Sequence, residues 1–525
     1  MSWTYCAAVV LLAWSLCAPL RAHAGAAAES PAVTTPPEAF FEKVRRPHRP
    51  AARDFYRKYL DISGLPVVAS AAVADAALHR THEIVSHMLA GRPDIIEALV
   101  ERDMYLTIIG AEEVYTDLPE NRNARNPEYL NERVRGTGGF PTSFGEENLL
   151  SLPIDRYDDE SIAVHEFSHT IDSTLGRIDP TWEERKRAAY RNAVDKGLYK
   201  DTYAIGNAAE YWAEMVQAYF DCNRVNNWNH GPIGRREQLK MYDPQGYTLV
   251  RETFNLGPNQ DWRYRPLHPR PCVTKPPARF GVDPYYTKFT WAREFVVVGR
   301  DADDDALLKA NDIIRKMFAY RHDILKALIA DGLKLVVLGP NEGLADLPEF
   351  KKTEADVDHT ARFLDYTPGV KILVVGQENL SGSPDHAGAT ECQVIRVLAR
   401  ALYHVTGRRP IDPDWDGRRD MQQYELRVQR MDVRFDEKLR KAYAAALDAG
   451  LWRGTAAAHD PVEYWSAGVL AYFDAAGQGV PPHDAARPIS TREALRAYDA
   501  ALFALVDETM GYHGKVDWRL DQRRR

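Results

Sequence analysis

The chain has 525 residues, of which 45% are hydrophobic and 27% are charged, and its formal net charge is −8. This length exceeds what one ordinary hydrophobic core supports, so at least two domains are expected. The composition is typical of a soluble globular protein, and no basic patch indicates nucleic acid as a partner.

The first residues predict a signal peptide. The apolar run from Ala7 to Leu16 is too short to span a bilayer, and Ala22-His23-Ala24 offers small residues for cleavage after residues 1–24. No Lys or Arg precedes the run, which leaves a membrane anchor as the alternative. No later segment is apolar enough to cross a membrane. The expected location is therefore secreted and extracellular, or periplasmic if the source is bacterial.

Two further features follow from export. Residues 25–50 are rich in Ala, Pro and Thr and predict a flexible leader. Three cysteines remain after cleavage, and an exported protein permits disulfide bonds. We predict a bond between Cys222 and Cys272, which leaves Cys392 free. Simple burial of all three is the alternative.

Internal repeats indicate two copies of one domain. Four segments recur in the same order: residues 92–99 as 321–328, 117–120 as 346–349, 210–212 as 463–465, and 261–263 as 517–519. We therefore predict one copy over residues 51–273 and another over residues 280–525, with Lys275-Pro276-Pro277 in the linker.

Each copy has the pattern of an α+β fold. Apolar spacing predicts helices over residues 73–90 and 304–320. Short β-branched runs predict strands at residues 106–109 and 335–338. A second strand is expected near residues 148–152 in the first copy and near residues 371–375 in the other.

The segment His165-Glu166-Phe167-Ser168-His169 carries the candidate chemistry. Asp158 or Asp159 can cap a helix here that ends at Gly176. On this helix, His165 and His169 project from one face and suit one Zn²⁺ ion. Glu166 is rotated from His165 by about 100°, so it lies beside the metal and can take a proton from water. The alternative is a helix with two incidental histidines.

A catalytic zinc ion needs a third protein ligand and an open position. Glu210 and Glu214 are four residues apart on a predicted helix. One of them can bind zinc while the other hydrogen-bonds a ligating histidine. Glu210 has a purely structural alternative, because it can complete a capping box with Asn207.

These residues resemble the catalytic domain of anthrax lethal factor and related peptidases, which are gluzincins with two His and one Glu as zinc ligands. The resemblance rests on residues 165–169, 203–204 and 210–214 and covers about residues 106–221. It implies a zincin-like fold, Glu210 as the third ligand, and Tyr203 as the residue that stabilises the oxyanion. Ser168 stands where the family often has Gly, and lethal factor lacks the duplication, so the resemblance implies no substrate.

The second copy lacks this set of residues. Arg396, Val397 and Arg400 align with His165, Glu166 and His169, while Ala456 and Ala467 align with Tyr203 and Glu214. We therefore predict a degenerate, inactive zincin-like domain that is available to bind substrate or a partner. Glu463 persists at the position of Glu210, where Asp460 can cap its helix. This structural use leaves the choice between Glu210 and Glu214 open.

The sequence thus predicts a secreted zinc-dependent endopeptidase that hydrolyses a peptide or protein substrate. Zinc would activate water, Glu166 would act as the general base, and Tyr203 would stabilise the oxyanion. Two other hypotheses remain. One is a secreted binding or scaffolding protein with a structural metal site, and the other is a zinc hydrolase of a non-peptide amide.

Overall fold

The computed structural model describes residues 31–225, 230–351, 361–381, 391–407, 434–477 and 489–520. The predicted signal peptide lies outside the described residues. Helices and strands alternate around two small mixed sheets, which confirms the predicted α+β class. We call residues 31–273 the N-terminal half and residues 280–520 the C-terminal half.

The N-terminal half contains a five-stranded sheet in the order β1-β2-β3-β5-β4. Its strands β2, β3 and β5 run parallel and are buried, whereas β1 and β4 are antiparallel edges. The strands are β1 (Lys58–Ile62), β2 (Leu65–Ala69), β3 (Leu106–Ile109), β4 (Gly136–Thr137) and β5 (Thr142–Gly145).

The C-terminal half contains a second five-stranded sheet in the order β6-β7-β8-β10-β9. Its strand directions match those of the first sheet, with β6 and β9 as antiparallel edges. The strands are β6 (Lys288–Ala292), β7 (Phe295–Gly299), β8 (Lys334–Leu338), β9 (Phe363–Leu364) and β10 (Ile372–Gly376).

Helices of the N-terminal half surround its sheet, and α3, α4, α7 and α9 contribute to one apolar core with it. The helices are α1 (Glu38–Lys43), α2 (Arg49–Phe55), α3 (Asp75–Met88), α4 (Pro93–Val100), α5 (Pro127–Arg133), α6 (Glu146–Leu149), α7 (Ile162–Ile178), α8 (Trp182–Asp195), α9 (Ala208–Tyr219), α10 (Arg236–Tyr242) and α11 (Pro244–Phe254).

The C-terminal half buries a separate apolar core between its helices and the second sheet. The helices are α12 (Asp304–Met317), α13 (His322–Ala330), α14 (Glu378–Ser381), α15 (Gln393–Leu402), α16 (Phe435–Asp448), α17 (Pro461–Tyr472), α18 (Arg492–Tyr498) and α19 (Ala500–Thr509). Short 3-10 turns span Arg46–His48, Tyr115–Asp117, Tyr203–Ile205, Pro258–Gln260, Ala278–Phe280, Leu344–Asp346 and Ala456–Ala458, and a π-helical turn spans Tyr403–Gly407.

Most predicted elements are present. Helices α3 and α12 confirm the predicted helices, and β3, β8 and β10 confirm three predicted strands. The strand predicted near residues 148–152 is wrong, because β5 ends earlier and α6 follows it. Glu146 in α6 accepts hydrogen bonds from the N–H groups of Ala74 and Ala111, so buried polar pairing holds a helical turn here.

The prediction of a flexible leader is wrong for the described part of residues 25–50. Helix α1 buries Phe40 and Phe41 against Tyr56 and Tyr105 beside the first sheet. Burying one such aromatic side chain contributes about 1.5–3 kcal/mol. Two adjacent aromatic residues therefore anchor a segment whose average composition suggested flexibility.

The cysteines do not form the predicted Cys222–Cys272 bond, since all three are free. Cys222 and Cys392 are buried, and Cys272 is half-buried. Burial raises the pKa of the Cys222 thiol, which donates to the carbonyl of Gln217 at 3.4 Å. Cys222 and Cys392 thus act as small core residues.

Among the helices in the described residues, none combines the length and the apolar character needed to cross a membrane.

Candidate metal centre

Helix α7 carries the two histidines of the predicted metal site. Ser161 caps it by accepting a hydrogen bond from the N–H of Val164, and the helix continues beyond Gly176 to Ile178. The predicted cap and stop are therefore wrong. Asp158 and Asp159 are instead paired with arginine side chains, and the N–H of Asp179 donates to the carbonyl of Leu175 at the end of the helix.

Three potential ligand atoms converge between α7 and α9. The Nε2 atoms of His165 and His169 are 3.2 Å apart, and Glu210 Oε2 lies 3.3 and 3.4 Å from them. Tetrahedral zinc with bonds of about 2.0–2.1 Å separates neighbouring ligand atoms by about 3.3–3.4 Å. The three atoms therefore form one face of such a tetrahedron. Within the described ranges, they are the one such group of His, Cys, Asp or Glu side chains.

Glu210 reaches the histidines without serving as a capping residue. Asn207 Oδ1 caps α9 by accepting hydrogen bonds from the N–H groups of Ala209 and Glu210 at 2.9 and 3.0 Å. The Glu210 carboxylate extends toward α7, and its Oε2 is buried with no hydrogen-bond partner within the described ranges. An unpartnered buried carboxylate oxygen is costly, so this donor set fits a metal ion.

The charges around this group favour a cation. Burial alone would lower the pKa of His165, but Glu210, Glu166 and Glu214 together raise it to about 10. Burial alone would raise the pKa of Glu210, but the two histidines hold it well below its usual range. The site is thus a concentration of negative potential that a metal ion can neutralise.

Glu166 lies beside the ligand atoms and is not one of them. Its Oε2 accepts a hydrogen bond from the N–H of Gly138, the residue after β4, at 2.5 Å. A Cβ atom at Gly138 would lie 2.6 Å from the Cβ of His169, so only Gly permits this approach of strand and helix. Glu166, His165 and Tyr203 line a common cavity of about 120 Å³.

Tyr203 lies in the 3-10 turn that precedes α9. Its ring centroid is 6.4 Å from that of His165, and its side chain is partly exposed to the cavity. Burial, followed by the nearby Glu210 charge, raises the pKa of the Tyr203 hydroxyl. The hydroxyl therefore stays protonated at neutral pH and can donate a hydrogen bond to a developing oxyanion.

Glu214 does not contact a ligating histidine, so its predicted orienting role is wrong. Its Oε1 lies 3.4 Å from His230 Nε2, and its Oε2 accepts a hydrogen bond from Asn223 at 2.8 Å. Gln217 instead makes the contact that was predicted for Glu214, since its Oε1 lies 2.9 Å from His165 Nδ1. Gln217 follows Glu210 by two helical turns on one face of α9, a spacing that could have identified it.

Polar contacts lead from this site toward the C-terminal half. Gln217 Nε2 donates to Glu160 Oε2 at 3.3 Å, and the Arg224 guanidinium pairs with Glu160 at 3.4 Å and with Asp159. Arg293 of the C-terminal half lies 3.6 Å from the same Asp159 carboxylate. A chain of side chains therefore connects the two halves to His165.

The β6–β7 turn makes this connection. Arg293 and Glu294 both have positive φ, 50° and 74°, a conformation that L-residues adopt at a cost. Glu294 pairs with Arg156 at 3.2 Å, and Arg315 of α12 pairs with Asp158. All these partners belong to the segment just before α7. The C-terminal half therefore forms ion pairs with the residues that lead into α7.

We expect Arg315→Met to lower the free energy of unfolding by about 3 kcal/mol, because it leaves Asp158 without its cation in a poorly exposed environment. Urea denaturation of the full chain measures this loss. The control is Arg300→Met, since Arg300 is about half exposed. Combining Arg315→Met with Asp158→Leu should restore much of the stability. A loss no larger than that of the control would contradict the structural role of this contact.

An ion-pair cluster lies between α15 and α17 of the C-terminal half. Arg396 pairs with Glu463 at 2.9 Å, and Arg400 pairs with Glu463 and, at 2.9 Å, with Asp365. Asp460 caps α17, accepting hydrogen bonds from the N–H groups of Val462 and Glu463. Arg396 also pairs with Glu391 at 2.8 Å, so ion pairs with arginine satisfy the carboxylate that the sequence prediction aligns with Glu210.

Comparison of the chain with models of known families finds no match, and comparison with curated proteins finds none either.

Proposed function

We propose that the protein is a zinc-dependent endopeptidase of the lethal factor-like gluzincin type. The observation that carries the proposal is the convergence of His165, His169 and Glu210 at the spacing of a tetrahedral face. A structural zinc site is usually closed by four protein ligands, whereas a catalytic site has three and an open position. Three ligands beside a cavity favour catalysis over the scaffolding alternative.

Each residue around the metal would have a separate role in hydrolysis. Bound Zn²⁺ would supply Lewis-acid chemistry at the scissile carbonyl. Glu166 takes a proton from the attacking water and returns it to the leaving amine. Tyr203 donates a hydrogen bond to the oxyanion, and Gln217 holds the His165 ring through Nδ1.

The neighbouring sheet edge favours a peptide over another amide. Strand β4 is the edge of the first sheet, and Gly138, directly after it, contacts Glu166. An extended peptide that pairs with β4 would bring a peptide bond to the general base. A compact non-peptide amide would leave this edge unused.

We also propose that residues 51–273 and 280–525 are copies of one zincin-like domain and that the second copy is degenerate. The matching strand orders of the two sheets support this. Two hydrogen bonds also recur at corresponding positions. The indoles of Trp212 and Trp465 donate to the carbonyls of Ser168 and Ala399 at 2.8 and 3.0 Å. The second copy would then serve structure or partner binding, and residues 1–24 would direct export.

A peptide-library digest tests the proposed activity. We expect the full chain to cleave peptides, to lose this activity with a zinc chelator, and to regain it with one equivalent of Zn²⁺. The full-chain variant His165→Ala/His169→Ala should bind no zinc, because the C-terminal half offers Arg396 and Arg400 at the aligned positions. Stoichiometric zinc without cleavage of any peptide would favour the scaffolding hypothesis.

A further inference from the structure

A second cavity, of about 660 Å³, lies beside the metal centre and is distinct from it. Its wall includes Thr107 of β3, Ser143 of β5 and Thr137 of β4. Gly138 also lines it, and the N–H of the same Gly138 bonds to Glu166. A ligand group in this cavity would therefore be separated from the general base by little more than one strand.

The wall of this cavity is rich in hydroxyl groups. Thr137 Oγ1 lies 3.0 Å from Ser143 Oγ and 3.4 Å from the Tyr115 hydroxyl. Thr107 Oγ1 donates only a long hydrogen bond, of 3.4 Å, to the carbonyl of Thr142. Hydroxyl groups can donate or accept, so the wall suits a polar ligand group better than an apolar one.

Lys43, Arg45 and Arg102 place positive charge along one side of the cavity, which His48 also lines. Its acidic residues already have partners. Lys43 pairs with Asp103 at 3.3 Å, and Glu120 accepts hydrogen bonds from the hydroxyls of Tyr56 and Tyr105 at 2.7 and 2.6 Å. Glu120 is thus satisfied by neutral donors, and the arginines have no carboxylate partner among the described residues.

Arg102 is held by an aromatic ring on one side of its guanidinium. Its guanidinium stacks on the Phe140 ring, 3.7 Å from the centroid, and its Nη1 is buried without a hydrogen-bond partner in the described part of the chain. Burial and the nearby Arg177 charge lower the pKa of Arg102, which reflects an unneutralised positive potential. Arg102 also lines the cavity, so its guanidinium is available to form a charge-assisted hydrogen bond with a ligand carboxylate.

We propose that this cavity binds an acidic side chain of the peptide substrate, with the carboxylate on Arg102. This inference rests on the proposed endopeptidase function and names its substrate class. A peptide paired with β4 passes Gly138, which borders both cavities. The acidic residue would lie within a few positions of the scissile bond.

The peptide library tests the proposal first. We expect enrichment of Glu or Asp at one position near the cleavage site. The kcat/KM of a matched Glu peptide should exceed that of its Gln analogue about 10- to 100-fold, the range for a charge-assisted hydrogen bond. Arg102→Gln should lower kcat/KM for the Glu peptide to the value for the Gln peptide, mainly by raising KM. Arg102→Lys should retain part of the preference. Arg122→Gln, an exposed control outside the cavity wall, should retain all of it.

The outcomes separate this inference from the proposed function. Cleavage without an acidic preference, or a preference that survives Arg102→Gln, overturns the inference and leaves the peptidase intact. If no peptide is cleaved, the proposed function fails. Binding of fluorescent Glu and Gln peptides to the Glu166→Gln variant then tests the cavity alone, and equal affinities would overturn it. If Arg102→Gln fails to fold, exposed Arg45→Gln replaces it, with an expected loss of about threefold in the Glu preference.

Discussion

The Glu166→Gln variant should bind zinc normally and lose nearly all hydrolysis, because Glu166 is placed as a base and not as a ligand. General acid–base catalysis by a side chain contributes about 10²–10⁴-fold, so kcat should fall by at least this range. Gln keeps an oxygen that can accept the Gly138 N–H hydrogen bond, so the local structure should persist. Zinc content and kcat on the best library peptide measure the two effects.

Exposed Glu184 on α8 provides the matched control, since Glu184→Gln makes the same chemical change away from the site. This control should keep full activity. Near-normal turnover by Glu166→Gln would rule out its role as the base. Loss of zinc from that variant would instead indicate a ligand role that the observed geometry does not support.

The second large effect separates the two carboxylates of α9. Glu210→Gln should empty the metal site, because it removes the charged oxygen that lies 3.3 and 3.4 Å from the two ligating nitrogens. Glu214→Gln should keep zinc within about tenfold and lower the melting temperature, because its contacts are with His230 and Asn223. Chelator competition gives the zinc affinity of each variant.

Both substitutions preserve side-chain shape, and Asn207 continues to cap α9 in each, so helix loss does not confuse the comparison. For Gln217→Leu, we expect a loss of zinc affinity between those of Glu214→Gln and Glu210→Gln. Removing a partner of a ligating histidine typically costs about 10–100-fold in metal affinity or activity. If Glu214→Gln emptied the site while Glu210→Gln retained zinc, the assignment of the two residues would be reversed.

Glu210 in α9 and Glu463 in α17 have different charged surroundings. Glu210 Oε2 lies 3.3 and 3.4 Å from the Nε2 atoms of His165 and His169 and has no hydrogen-bond partner among the residues that the structure describes. In the C-terminal half, Arg396 and Arg400 neutralise Glu463 directly. The two guanidinium groups there are shared among three carboxylates, those of Glu463, Asp365 and Glu391.

Local sequence determined the parts of the site that depend on helix geometry. A spacing of four residues is enough to place His165 and His169 on one face, and Asn207 is enough to cap α9. The buried strands β3 and β8 were likewise predictable from short apolar runs. These features depend only on residues near one another along the chain.

The packing of distant elements decided the rest. Glu210, Glu214 and Gln217 all lie near one face of α9. Only the packing of α9 against α7 places Glu210 and Gln217 beside His165, whereas Glu214 lies beside His230. The Arg293 contact with Asp159 requires the two halves to meet. Such contacts have no local sequence pattern, because helix periodicity fixes the direction of a side chain but not what lies opposite to it.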